Sequence, residues 1–476
     1  MMIDKIRKYN FLILSGILLA IIAGFYFLFT ENHEKLILLT TVFISVIGVV
    51  LLLQNIQSIP FVIAFMTPLS LDFVLGGGTK LSLPLEGFIL FVIFYFFLVF
   101  LIKKPENLNK LNHPITWLLS ILILVMCMSS LIGDYAIISI KKTISQTIYI
   151  LGFFVITILL TKKTSSLSKL YFWYAIGMII PIGNSLYKHA NLDFVQSASV
   201  YTAMPFYDEH TIFGACVAFL IPFVFLRTGF FQKNKIHFGF CSLSLFLVIA
   251  VLHSYSRASW ISLSLALLVD VFILLKGKFN MFLGIIAILV SVIWFNYSDV
   301  YSEMRRTSVK YSDQFSQHLV SVTNLKNDAS NRERINRWVS AYRMFEEKPL
   351  LGHGPGTYQF EYGKYQTNEF TTRISTHRGD KGNAHSEYLM FLSETGILGF
   401  IIFLLIILKS FQVGISLALK KIESEDRLIL LSSLLGLTTF YVHGLFNAFS
   451  DSPKMAILFL GSLAILTQID IKYKIK

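Results

Sequence analysis

Apolar residues in this chain come in long unbroken blocks rather than alternating with polar ones. Fourteen stretches read as membrane spans, at roughly 11–29, 35–53, 58–75, 87–102, 115–133, 144–161, 170–188, 211–227, 236–253, 259–275, 279–296, 387–408, 428–446 and 455–470. A helix needs about 20 such residues to cross the hydrocarbon core of a bilayer. The stretches at 58–75 and 144–161 are the weakest, being short or interrupted by polar residues. The pattern predicts an all-α polytopic integral membrane protein of about 12–14 transmembrane helices with one large, partly helical loop outside the membrane.

The short connections carry the orientation signal. Lysine and arginine cluster in alternate loops, around Lys5/Arg7/Lys8, Lys103/Lys104/Lys110, Lys162/Lys163/Lys169, Arg227/Lys233/Lys235, Lys276/Lys278, Lys409/Lys420/Lys421/Arg427 and the Lys472/Lys474/Lys476 end. Basic short loops stay on the cytoplasmic side. Both termini are therefore expected inside, with the 297–386 loop outside. The expected organisation is spans one to eleven over 1–296, the loop over 297–386 and spans twelve to fourteen over 387–476. The N-terminal apolar block has no small-residue cleavage pattern and reads as a retained first helix.

Composition agrees with lipid as the solvent: 55% of the 476 residues are hydrophobic and 14% charged, and the mean hydropathy is +0.66. The net charge of +13 suits a membrane surface and an anionic lipid-linked substrate better than nucleic acid. Cys127, Cys216 and Cys241 all lie in apolar runs, which excludes a disulfide framework or a cysteine-rich metal site in the loop. Arginine separates from lysine: 18 of 29 lysines are expected inside, whereas nine of 12 arginines (Arg257, Arg305, Arg306, Arg332, Arg334, Arg337, Arg343, Arg373 and Arg378) are expected outside. The planar guanidinium binds phosphate oxygens in pairs and keeps its proton.

The loop has structure of its own. Ser330-Asn-Arg-Glu333 reads as a capping box that opens a helix, and Arg334, Trp338, Ala341 and Phe345 fall on one face before Pro349 ends it. Lys348-Pro-Leu-Leu-Gly-His-Gly-Pro-Gly-Thr-Tyr358 follows, where Gly354 and Gly356 could turn backbone amides toward an anion. It is not a P-loop. The loop closes on Asn383-Ala-His385-Ser386-Glu387-Tyr388. His385 stands at the mouth of the next span with Tyr388 on its face, and Glu394 lies two turns inside, where a carboxylate is costly. At the same expected end are Arg257, after His253-Ser-Tyr-Ser, the Asp208-Glu209-His210 run before the eighth span, and Asp451. Asp270 is expected to pair locally with Lys276 or Lys278 near the opposite end.

These motifs, in this order, resemble the O-antigen ligase and O-antigen polymerase family: Ser-Arg257-Ala-Ser-Trp, Arg334-x3-Trp338, the Lys348–Tyr358 run, and Ala-His385-Ser-x-Tyr-Leu through Glu394-x-Gly396-x-x-Gly399. The resemblance covers about 200–400. Ala258 replaces the family's usual glycine, and Ser386 stands where ligases often have asparagine. The resemblance implies a GT-C-like inner-membrane glycosyltransferase, metal-independent and inverting, with no cofactor. It would move a glycan from undecaprenyl diphosphate to an acceptor hydroxyl of a glycan or a lipid A core in surface polysaccharide (lipopolysaccharide) biosynthesis. It casts Arg257, Arg334 and His385 as catalytic residues, the arginines holding diphosphate and the imidazole activating or orienting the acceptor. Arg337, Glu394, Tyr388, His210, Asp208, Gly354 and Gly356 would line the substrate site. Transfer needs fixed cations or a metal for the developing charge, and no Asp-x-Asp pair stands outside the membrane to hold a metal. A polymerase is slightly favoured over a ligase or a protein oligosaccharyltransferase. The reading from another class is a flippase for the same lipid-linked glycan. Against it, no internal repeat is evident and the polar residues gather at one mouth rather than at midplane.

Overall fold

The computed structural model describes residues 55–74, 80–102, 107–228, 235–278, 329–367 and 382–474, with isolated positions between them. The spans expected at 11–29, 35–53 and 279–296, and Arg305, Arg306, Arg373 and Arg378, lie outside the described residues. A short helix α1 (Ile59–Met66) leads into a hairpin, β1 (Leu71–Val74) against β2 (Lys80–Leu83), paired antiparallel. The block expected at 58–75 is therefore a short helix and a strand rather than one spanning helix. Pro68 has no N–H to continue the α-helical ladder; a 3-10 turn over Thr67–Leu69 follows, and the backbone becomes extended at Ser70, at the start of the hairpin.

The remaining helices follow in order: α2 (Leu85–Ile102), α3 (Pro114–Ile132), α4 (Ala136–Leu160), α5 (Ser168–Ala190), α6 (His210–Thr228), α7 (Lys235–His253), α8 (Arg257–Leu274), α9 (Ala329–Glu347), α10 (Glu387–Ala418), α11 (Ser424–His443) and α12 (Pro453–Lys474). Among the described residues seven are long and apolar enough to cross a membrane: α2, α3, α4, α6, α8, α10 and α12. α5 and α11 are as long but more polar. α4 stays continuous through the Ile150–Val155 π-helical stretch, so the weak block at 144–161 is part of a helix of 25 residues.

α12 is almost wholly enclosed, whereas α2 and α8 bury little of their surface. The outward side chains of α2, among them Phe91, Phe94, Phe97 and Leu101, form the apolar exterior that lipid would cover. Inside, several polar groups are paired across helices, since a lone polar group in an apolar interior is costly. The Tyr171 hydroxyl on α5 meets Ser433 of α11 at 2.8 Å and Ser462 of α12 at 2.6 Å.

The two ends of the bundle differ in chemistry. The end where α11 starts and α12 stops is held by ion pairs of Lys472 with Asp426 at 2.7 Å and Glu423 at 2.8 Å and of Lys474 with Asp470 at 2.7 Å, and by a hydrogen bond between His113 and Asp470 at 3.0 Å. The field that reaches Asp270 comes from Arg427 of α11, rather than from the expected Lys276 or Lys278. The opposite end, where α6 and α8 start and α11 stops, carries α9 and the loop motifs.

Candidate functional site

The glycine-rich run is built into the bundle. α10 is broken at Gly396, whose φ is +64°. A Cβ there would stand 2.4 Å from the Leu350 backbone, and one on Gly352 would stand 2.4 Å from that of Glu394. Only glycine admits two backbones so close together. The loop then bonds to the freed groups of the broken helix: Ile397 N–H to the Pro349 carbonyl at 2.8 Å, His353 N–H to Ser393 at 3.1 Å and Gly354 N–H to Glu394 at 2.9 Å. The Glu394 carboxylate itself accepts from the amides of Tyr358, at 3.1 Å, and Gly356. The anion that this turn cradles is thus the protein's own carboxylate, and Gly354, Gly356 and Glu394 form a clamp between loop and α10. The same face of α10 lines a small recess with Lys142, Gln146, Ser450 and Asp451, where Lys142 and Asp451 form an ion pair.

α9 begins at Ala329 and ends at Glu347, as its sequence pattern predicts. Glu333, expected to cap the helix, instead bonds Arg337 Nε at 2.8 Å and accepts from the Ser375 hydroxyl. Arg337 also donates to the Asn383 carbonyl at 2.9 Å and lies over the Tyr362 ring at 5.0 Å. It is 7% exposed, so its guanidinium is committed to holding the 383–385 turn rather than left free for a ligand. Asn383 passes the restraint on: its Oδ1 accepts from His385 N–H at 2.9 Å and its Nδ2 donates to the Ala448 carbonyl at 3.1 Å. Trp338 Nε1 donates to the His385 carbonyl at 3.3 Å.

His385 sits in this turn with φ +48°, a left-handed conformation uncommon for a non-glycine residue and often found at functional sites. Burial, then the charges of Arg337 and Arg334, push its imidazole down to about 3 from the usual 6.5. The ring is therefore neutral across the physiological range. Ser386 caps α10 through Leu389 N–H. Glu387 turns the other way and holds the loop between α11 and α12, accepting from the amides of Phe449, at 2.6 Å, and Ser450, and from the Ser450 hydroxyl at 2.9 Å.

Arg334 acts electrostatically on both His385 and His443, and His210 acts on His443 as well. His210 opens α6, which packs along α11. One turn into α6, a Cβ on Gly214 would lie 2.9 Å from Ser256, the residue before Arg257. His210, Arg257, Arg334, His385 and His443 consequently meet at one end of the bundle, with Asp208 on the chain just before α6. Tyr388 does not join them: its hydroxyl bonds the Tyr441 carbonyl at 2.9 Å inside the bundle. Among the described residues no group of three His, Cys, Asp or Glu side chains is placed to hold a metal ion. The sequence motifs hold Glu333 only as a helix cap and Asn383 only as part of the loop's closing run, and do not include His443. An ionisable residue at the end of an apolar block is the signal that points to His443.

Fold and site together define a polytopic helical membrane protein whose guanidinium and imidazole groups converge at one end of the bundle. Residues 242–404 match a family model described as O-antigen ligase. The matched stretch runs from α7 into α10 and contains Arg257, Arg334 and His385. It supports the O-antigen ligase and polymerase family, whose members are glycosyltransferase-like enzymes acting on membrane glycans. No curated protein matches the chain.

Proposed function

We propose that this protein is an inverting, GT-C-like glycosyltransferase. It moves a glycan from undecaprenyl diphosphate to an acceptor hydroxyl at the periplasmic face of the bacterial inner membrane, without a metal. The observation that carries the reading is the neutral imidazole of His385 held on a strained turn within the fields of Arg334 and Arg337. In the reaction the acceptor oxygen forms a bond to the anomeric carbon as the bond from that carbon to the diphosphate oxygen breaks. The acceptor's proton passes to the His385 ring and then to solvent. The departing undecaprenyl diphosphate keeps the electron pair, and its charge is met by Arg257 and Arg334. Pairing of the diphosphate with Arg334 offsets one of the charges that depress the imidazole, so the ring gains basicity once the donor is bound.

Ser386 after the histidine favours a polymerase, which would join repeat units to one another. Surface-glycan gels from a deletion strain test the reading. Loss of long chains with one repeat left on the core is expected for a polymerase. A bare core with lipid-linked polymer accumulating would make it a ligase. Unchanged glycan would refute transfer altogether.

A further inference from the structure

His443 closes α11 and is 1% exposed, yet neither ring nitrogen has a hydrogen-bond partner among the described residues. A buried polar atom left unpaired costs about 1–3 kcal/mol, and most such atoms in folded proteins are satisfied. A phenylalanine would fill the same space without that cost, since the ring already packs edge-on against Phe449, centroids 4.9 Å apart. Asn447 Nδ2, one turn further along, is likewise buried and unpartnered among the described residues.

The position of the ring is fixed by backbone. Gly444, the next residue, accepts from Glu387 N–H at 2.8 Å, and the His443 carbonyl accepts from Phe446 N–H at 2.9 Å and Asn447 N–H at 3.2 Å. The first of these bonds ties the end of α11 to the start of α10, two residues past His385. The groups whose fields reach the ring are the guanidinium of Arg334, from the loop helix, and His210, from α6. A ring nitrogen that must find a partner within the field of a guanidinium suits an anion, and phosphate oxygens are strong acceptors for it.

We propose that His443 is a further binding residue of the transfer site, donating a ring N–H to a phosphate oxygen of the donor's diphosphate beside Arg334. This rests on the lipid-linked donor reading above and adds a second imidazole to it: His385 serves the acceptor, His443 the leaving group.

The test uses the full chain purified in detergent and undecaprenyl diphosphate as the probe. His443→Phe keeps the ring and its packing on Phe449 while removing both nitrogens. It is expected to weaken binding roughly tenfold or more, the worth of one hydrogen bond to a charged group. Its melting temperature without lipid should equal or exceed the unsubstituted protein's, because two unpaired nitrogens have gone. His443→Gln, which retains a donor, should bind more tightly than His443→Phe. Undiminished binding by His443→Phe would overturn the inference and leave the donor reading standing. Weaker binding accompanied by a lower melting temperature in both variants would assign the ring a structural role and overturn it as well. If the unsubstituted protein fails to bind undecaprenyl diphosphate, the donor reading itself falls.

Discussion

Arg334 and Arg337 lie one turn apart on α9, and their surroundings predict opposite consequences of removing them. Arg337 makes a 2.8 Å ion pair with Glu333, a 2.9 Å bond to the Asn383 carbonyl and a contact with the Tyr362 ring. Both members of the pair are under 10% exposed, Arg337 at 7% and Glu333 at 5%. Arg337→Ala would leave Glu333 buried beside the Ser375 hydroxyl with no cation among the described residues, and breaking a buried pair from one side costs about 3–5 kcal/mol. The loss should fall on the 383–386 turn, whose order runs through Asn383 to His385. Backbone amides there should exchange with solvent roughly a hundredfold faster or more, taking 1.4 kcal/mol per decade. Hydrogen exchange read by mass spectrometry on the detergent-purified protein measures this directly. Arg334→Ala, on the same helix, should leave the exchange of that turn unchanged while abolishing transfer. Removing both charges together, with Glu333→Gln and Arg337→Met, should restore most of the protection, because no lone ion then remains buried. Unchanged exchange at 383–386 in Arg337→Ala would refute the positioning role.

Transfer by Arg257→Ala and His385→Ala should each fall by about a hundredfold or more, the usual contribution of a fixed charge-stabilising group and of a positioned acid–base group respectively, with the protein still in the membrane; full activity in either variant removes that residue from the site. His385 also predicts a pH effect. Its folded value, about 3, lies below the usual 6.5, so the unfolded chain takes up the proton first. Its effect on stability is absent above about pH 6.5 and grows as pH falls toward 3. The melting temperature of the unsubstituted protein should therefore drop more steeply than that of His385→Gln between these pH values, and parallel curves would contradict the assignment. Gly396→Ala places a side chain 2.4 Å from the Leu350 backbone at φ +64°. It should destabilise the protein by more than the roughly 1 kcal/mol ordinarily lost with glycine's freedom, seen as a lower midpoint of unfolding in detergent. Asp134→Asn removes a half-exposed surface pair with Lys348 and should change stability by no more than about 1 kcal/mol.

Much of the architecture was legible before any coordinates. The lengths of the apolar blocks anticipated α2, α3, α6, α8, α10 and α12 to within a few residues at most ends. The pattern from Ser330 to Pro349 anticipated α9. These features depend on local chemistry: how many consecutive residues prefer lipid, which face of a helix is apolar, and where a proline stops it. The block at 58–75 failed as a span because hydropathy counts apolar residues without registering that Pro68 breaks the α-helical ladder and that the chain from Ser70 is extended into a hairpin. The Arg257, Arg334 and His385 motifs were likewise visible as residue types at a spacing.

What each polar group touches was decided by the tertiary structure. Two arginines on successive turns look alike in sequence, yet Arg337 is enclosed by Glu333, Asn383 and Tyr362 while Arg334 faces the histidines. Glu394 reads as an isolated carboxylate within a span until the glycine turn is seen folded onto it. His443 is an ordinary helix-end histidine until α6, α9 and α10 converge around it. The physical reason is that hydropathy and capping are properties of neighbouring residues, whereas desolvation and pairing depend on groups brought from distant parts of the chain.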